Sequence, residues 1–499
     1  MASSSSLHLF FLFLITIVSA FICVSSNAFK QPKPNAFIFP IKKNDTTLQF
    51  YTTLDMGTPS NYMNMVLDLG GRFSWLDCDQ YNISSTYRPV RCWSAKCNAT
   101  TDGFNCVDCL ESPPRPGCTR DTCALSSYNP ETEMNIIGVV GEDTIRVSST
   151  DGRFSLLDFD IRRFSFACGF LGFSSVLDKG SASQGILGLG RASNTSLATQ
   201  LSSAFKLVHN KFALCLPSSK QFYFGSIFVG GGPYHFLPHY PDDASKLLIK
   251  TPLVTNPRTT YHPPLSRTDV SSQDYFIDVK GIKIDGKQVS FDTSSLWLNE
   301  KGFVETVIST VNYYTVLHSA IYKALVGDFV KEAATNKKMK RVGSVAPFGA
   351  CFSSENIKNT MTGPAVPIID LVVKGNNVPW RIYGANSMVK VKKNVLCLGF
   401  VDGGSFPITS IVLGGRLLEN SLLEFDLESS MNHYQEQQQS MLLSKKTVSP
   451  MQTSVNLIDN HSRAEAMVEF VPRILDSEVD GLAKSGALAK GGRLDWGGS

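Results

Sequence analysis

The chain has 499 residues, of which 18% are charged and 10% aromatic, with 32 Phe and a formal net charge of +4. That length suits two lobes of about 200 residues each rather than one small core, and a composition so aromatic and so poor in charge excludes an intrinsically disordered chain. The Lys and Arg are scattered, "KKMKR" (337–341) is the longest basic run and no nucleic-acid motif occurs, so no nucleic-acid partner is expected; weak adhesion to acidic polysaccharide is what such a charge supports.

Residues 1–28 read as a secretory leader. The apolar run "LHLFFLFLITIVSAFICV" (7–24) is followed by Ser26-Asn27-Ala28, a small-residue pattern that suits cleavage after Ala28. A membrane anchor is the alternative for a run of this length. The cysteines and sequons downstream favour export, with no membrane contact once the leader is gone. Next, "LQFYTTLDMGTPSNYMNMVLDL" (48–69) predicts two strands joined at Gly57-Thr58-Pro59. Seven cysteines then crowd together: Cys78, Cys92, Cys97, Cys106, Cys109, Cys118 and Cys123. Cys106-x-x-Cys109 could be half of a zinc or redox site, yet no second pair or His cluster completes it. Sequons at Asn44, Asn82, Asn98 and Asn194 point instead to an oxidised, glycosylated loop. Cys168, Cys215, Cys351 and Cys397 join the disulfide candidates. Of the 12 cysteines Cys23 leaves with the leader, so an odd number remains.

A short helix is expected in "NTSLATQLSSAF" (194–205). The Pro-rich stretch "KTPLVTNPRTTYHPPLSRTD" (250–269) marks the join between an N-terminal β-lobe over 29–250 and a C-terminal β-lobe over 251–430. "YFIDVKGIKIDGKQVSF" (275–291) is a hairpin, with Asp285-Gly286 supplying the positive φ of a tight turn. The clearest helix is "SAIYKALVGDFVKEAATNKK" (319–338), with Ile321, Leu325, Phe329 and Val330 on one face and Ser319 as its cap. The last coherent strand lies in "SLLEFDLESS" (421–430). Residues 431–499 lose strand periodicity and are expected to form an unstructured tail.

Two pairs of segments suggest duplication. An apolar strand enters Asp68-Leu69-Gly70-Gly71, and "SQGILGLG" (183–190) follows later; a second apolar strand enters Ser309-Thr310-Val311, and "SIVLGG" (410–415) follows. Apolar residues followed by Gly let one backbone pass close behind another where a Cβ would collide. The pattern predicts an all-β chain with few short helices, built as two related lobes facing one cleft.

Over roughly 38–430 the chain resembles the pepsin-like aspartic proteases. It is most similar to their plant branch of extracellular dermal glycoproteins, xyloglucan-specific endoglucanase inhibitors, xylanase inhibitors and basic 7S globulins. The segments that carry the resemblance are "VLDLGGRFSWLDCD" (66–79), "SSTYRPVRC" (84–92), "SQGILGLGR" (183–191), "VAPFGACF" (345–352), "VLCLGFVDGG" (395–404) and "SIVLGG". The resemblance implies a bilobal acid-protease fold. In active members each lobe supplies an Asp-Thr-Gly or Asp-Ser-Gly turn, and the two carboxylates share a proton, one acting as base on water and the other as acid. Here Asp68 stands at the first position and Ser309 at the second, so no catalytic residue is expected at this degenerate dyad. A serine hydroxyl cannot replace a carboxyl, and Asp68 is then a turn residue hydrogen-bonding nearby amides. Ser309 as a nucleophile has no Gly-x-Ser-x-Gly elbow and only His318 near it in sequence. The strand "IIGVVGEDTIRV" (136–147) resembles the return from the family's flap, which would then span Tyr128 to Asn135.

The resemblance implies a partner rather than a substrate: a microbial glycoside hydrolase whose carboxylate-lined groove is blocked by a loop of the second lobe. An inhibitor cation could pair with the glycosidase's two carboxylates. Related inhibitors carry Arg before the Thr-Ser of "ITSIVLGG", where this chain has Ile408; Lys337, Lys338 and Arg341 offer charge on another second-lobe loop. A basic 7S globulin-like binding or storage role, toward a peptide or cell-wall polysaccharide, and residual aspartic endopeptidase activity are the alternatives. Secretion to the apoplast, a single chain working alone, and neither metal nor organic cofactor are expected. After "LLEFDL" the chain departs from the family, whose terminal Cys-containing segment is missing, which would leave Cys215 or another core cysteine without a partner.

Overall fold

The computed structural model describes residues 33–79, 81, 84–100, 106–109, 113–129, 134–169, 184–191, 194–218, 223–235, 242–254, 272–292, 304–375, 379–405, 407–427, 440–444 and 451–452. The expected leader, Asn82, the tip of the flap hairpin and residues 255–269 of the join lie outside them. The described residues from Asn35 onward belong to one compact unit, and their elements are strands with a few short helices, as expected.

Strand Phe50–Met56 buries every second residue, the mark of a strand with one face on the core. It pairs antiparallel with Asn61–Asp68 across the expected turn, where Gly57 takes φ +80°. Asn61–Asp68 begins by alternating and ends buried on both faces at Met65–Asp68, as a strand must when it is inserted between others. The flap hairpin pairs Thr122–Asn129 with Met134–Thr150, which continues against Ser155–Gly169. In the second lobe, Asp285 at φ +45° and Gly286 at +81° make the expected tight turn. It joins Val279–Ile284 to Lys287–Gln288, and Ile369–Val373 lies on the other side.

A six-stranded path crosses between the lobes. Ala36–Lys43 pairs with Tyr223–Val229, and that strand with Lys211–Cys215. Lys211–Cys215 pairs with Leu422–Asp426, Leu422–Asp426 with Ser440–Ser444, and Ser440–Ser444 with Leu248–Val254. At the crossing, the Phe212 and Phe425 rings stack 4.8 Å apart and Tyr275 closes on Phe425 at 4.5 Å. All three are fully buried, and each such ring pair adds about 0.5–1.5 kcal/mol beyond the area it hides.

Three local expectations change. The tail was expected to lack strands, yet Ser440–Ser444 and Met451–Gln452 are strands. "SMLLS" is too short to show a period, but Leu422–Asp426 would otherwise end the sheet with an open edge, and the short apolar segment closes it. The rest of 431–499 lies outside the described residues. Leu248–Val254, counted partly in the join, is also a strand: Ile249, Thr251 and Leu253 point inward, and this alternation outweighs Pro252. The expected 250/251 boundary therefore falls inside one strand. Finally, the helix Ser319–Thr335 buries Ile321, Leu325 and Phe329 as expected, but its cap is His318, whose Nδ1 accepts from Ala320 N at 3.2 Å. Ser319 is the first helical residue, and its hydroxyl donates to Asp402.

Candidate functional site

The two turns are built alike. Met65–Asp68 runs parallel to Gly185–Gly188, which is also antiparallel to Trp75–Leu76. Val304–Ile308 runs parallel to Thr409–Leu413, which is also antiparallel to Thr315–Leu317. Gly188 is level with Asp68, and Gly414, one past the Ile308–Leu413 pair, is level with Ser309. A Cβ on Gly188 would stand 2.6 Å from the Gly71 carbonyl oxygen, and one on Gly414 2.4 Å from that of Tyr314. This close approach is what the two apolar-apolar-Gly segments encode.

The side chains set in these frames differ. Asp68 is 4% exposed, and its carboxylate accepts from Gly70 N at 3.0 Å. Its carbonyl accepts from Gly71 N and Leu189 N at 3.1 and 2.9 Å. Ser309 is half-buried. Its Oγ accepts from Val311 N at 3.2 Å and Asn312 N at 3.0 Å and donates to Asn312 Oδ1 at 3.1 Å. One donor and two acceptor positions are all a hydroxyl has. The group at the second dyad position is thus fully engaged in its own turn, with no proton free for a carbonyl. His318 does not activate it, since its Nδ1 caps the helix and its Nε2 lies 3.0 Å from the Ser405 carbonyl oxygen.

The turns are tied together from one side. Thr310 Oγ1, on a residue 2% exposed, donates to the Leu67 carbonyl at 2.7 Å and accepts from Leu69 N at 3.2 Å. The matching residue of the first turn is Leu69, fully buried and without a hydroxyl to return the bond.

Behind the second turn lies a charged cluster that the sequence did not announce. Glu419, whose side chain is 0% exposed, is reached by Lys43 Nζ from the first lobe, by Arg416 Nη1 and by the Tyr313 hydroxyl at 2.9 Å. Lys43 Nζ also sits 4.3 Å from the Tyr313 ring centroid. Burial pulls the Lys43 pKa below its ordinary value against the opposing pull of Glu419, and burial, then Glu419, pushes that of Tyr313 up. Lys43 and Glu419 are 376 residues apart. The only hint is the Lys ending the apolar strand "AFIFPIKK" (36–43).

The charged loop candidates stand elsewhere. Lys337 is exposed and lies 3.6 Å from Asp285 at the hairpin tip. Lys338 and Arg341 are exposed too, and Arg341 Nη2 lies 3.4 Å from the Gly349 carbonyl. Ile408 is 46% exposed. Its strand neighbour Ser410 accepts from His318 N at 2.8 Å at the head of helix Ser319–Thr335, whereas Lys337 follows the helix's far end, about 25 Å along. The structure does not bring these two candidate regions together.

Among the described residues five disulfides form: Cys78–Cys168, Cys92–Cys106, Cys97–Cys123 and Cys109–Cys118 in the first lobe, and Cys351–Cys397 in the second. Cys215, placed among the disulfide candidates, has no bridge: it is buried, and burial pushes its thiol up to about 12. It pairs across the lobe crossing with Leu422, where no cysteine faces it. Of the sequons, Asn44 is half-buried and its Oδ1 accepts from Thr46 N and Thr47 N at 2.8 and 3.0 Å, while Asn98 and Asn194 are exposed. Among the described residues no group of three His, Cys, Asp or Glu could hold a metal ion, and no helix is long and apolar enough to cross a membrane.

Two family models match, "Xylanase inhibitor N-terminal" over residues 50–231 and "Xylanase inhibitor C-terminal" over 274–435. The chain is 45% identical to "Probable aspartic proteinase GIP2" of Nicotiana benthamiana over 86% of its own length and 94% of that protein's. It is 33% identical to "Basic 7S globulin 2" of Glycine max over 79% of itself and 86% of that protein. The solved structure "Crystal structure of edgp" superimposes with a TM-score of 0.75 at 44% identity, covering 83% of this chain and 95% of that one. These likenesses span both turns and the strands between them, and the chain belongs to the xylanase-inhibitor-like, non-catalytic plant branch of the pepsin-like aspartic protease family.

Proposed function

We propose that this protein is a secreted, proteolytically inactive aspartic-protease homologue of plant defence. It binds and inhibits a microbial glycoside hydrolase that attacks the cell wall, a xyloglucan-specific endo-β-1,4-glucanase or a xylanase. The observation that carries the proposal is Ser309, whose hydroxyl is spent inside its own turn. Acid-base assistance is worth about 10²–10⁴ in rate, and losing one member of a coupled pair costs nearly as much as losing both. A cleft kept in shape without its acid is suited to holding a partner, and the xylanase-inhibitor family models support a glycosidase as that partner.

Ile408 favours a second reading. An exposed aliphatic side chain cannot pair with a glycosidase's two carboxylates, so a basic 7S globulin-like binding or storage role competes wherever a cation at that position is required. Purified protein titrated into a fungal xyloglucanase and a xylanase separates the two. Stoichiometric loss of activity against either enzyme is the expected outcome; full activity of both at micromolar protein leaves the binding or storage role. In the same preparation, casein at pH 3–5 should stay intact with or without pepstatin, and pepstatin-sensitive cleavage would restore the endopeptidase reading.

A further inference from the structure

Trp93 is the most exposed large apolar side chain among the described residues, at 76%. Its backbone is also in the left-handed region, φ +56°, a conformation a bulky residue keeps only where its surroundings leave no choice. They leave none: Cys92 before it is bridged to Cys106, Cys97 after it to Cys123, and Cys92 N donates to the Asp121 carbonyl at 3.0 Å. The indole is held in solvent by a braced loop.

The next residue, Ser94, caps the helix Ala95–Thr100. Its Oγ accepts from Cys97 N at 3.1 Å and its carbonyl from Asn98 N at 3.0 Å. That makes Trp93 the residue before the cap and Asn98 the fourth of the helix. These two positions, when both are apolar, fold onto one another and fix the chain's entry into the helix. Here the fourth residue is an exposed asparagine that opens the sequon Asn98-Ala99-Thr100. One half of the clasp is an uncovered indole and the other is a glycan acceptor.

We infer that Asn98 carries an N-linked glycan whose first N-acetylglucosamine lies on Trp93, the sugar's C–H face supplying the apolar surface that the asparagine lacks. Attachment needs a lipid-linked oligosaccharide diphosphate, met in the secretory pathway before folding. Asn98 Nδ2 bonds to the sugar's C1, the C1–O bond to the lipid diphosphate breaks with its electron pair, and the amide gives up one proton to a base. The inference rests on the expected leader, and it makes the glycan a part of the loop's packing.

The test uses the full chain made in a eukaryotic secretory host, with Asn98 occupancy read from glycopeptide masses and Trp93 exposure from its hydroxyl-radical oxidation rate. Tyr62, 69% exposed, is the reference. Trp93 should oxidise roughly two- to tenfold more slowly in glycosylated protein than in Thr100→Ala, with Tyr62 unchanged, the range expected of a stacking contact of ordinary strength. Enzymatic removal of the glycan from folded protein should raise the rate equally, which keeps the test open should Thr100→Ala fold poorly. Equal rates with Asn98 occupied overturn the inference, as does protein glycosylated at other sequons but bare at Asn98. Protein bare at every sequon and retained in the cell overturns it together with the leader.

Discussion

The turns at Asp68 and Ser309 share a backbone and little else. Each ends a strand paired in parallel with a Gly-terminated strand, and each has a glycine packed against a carbonyl. The first holds a buried carboxylate; the second holds a hydroxyl consumed by neighbouring amides and backed by the Lys43–Glu419–Arg416 cluster. The comparison teaches that the frame and the chemistry it once framed are separable. The frame is held by backbone hydrogen bonds and by glycines at closest approach, none of which needs the dyad.

The severest way to break the comparison is to put a side chain where each glycine passes the opposite carbonyl. Gly188→Val and Gly414→Val should each cost about 3 kcal/mol or more in urea unfolding, because the obstacle is backbone in both cases. A large loss in one and none in the other would show that the two frames are not equivalent. Next comes the one-sided tie. Thr310→Val keeps the shape but leaves the buried Leu69 N and Leu67 carbonyl unpaired, an expected loss of about 1–3 kcal/mol. No change in the unfolding midpoint would mean that the lobes do not depend on this bond.

The smallest effect sharpens the comparison further along the second lobe. The Ser319 hydroxyl, then Gly404 N, hold the Asp402 carboxyl below the usual aspartate range. A carboxylate depressed in the folded state adds stability above its unfolded value, and that stability fades as pH falls through the folded one. Ser319→Ala should therefore destabilise slightly at neutral pH, with the difference from the parent shrinking as pH falls below the ordinary aspartate value of about 3.9 and closing only in acid below the lowered folded value. Denaturant curves at the two pH values measure it. A difference that persists in acid would assign the effect to the helix rather than to Asp402.

Much of this was legible in the residues. The strand pairs, the Asp285-Gly286 turn and the missing acid at Ser309 are local, since a tight turn, an alternating run and a dyad motif are each written in consecutive residues. What could not be read depended on distant partners. Ser319 looked like the cap, but its hydroxyl had Asp402 to bond, which left the cap to His318. Lys337 is legible as a cation on the loop after the helix, but its ion pair with Asp285 at the hairpin tip is not. An odd cysteine count showed that one thiol was stranded, Cys215 or another core cysteine, and the register opposite Leu422 settled it as Cys215.

By itself the sequence determined a two-lobed β-chain whose second turn has no carboxyl to give, because spacing, turn chemistry and side-chain identity are properties of short segments. Only the tertiary structure decided that the Ser309 hydroxyl is already spent, that Glu419 gathers Lys43 from the other lobe, and that Ser440–Ser444 completes the sheet between them. Those outcomes depend on which groups meet across hundreds of residues. Burial makes each such meeting obligatory, since a buried donor, charge or strand edge left without a partner is costly.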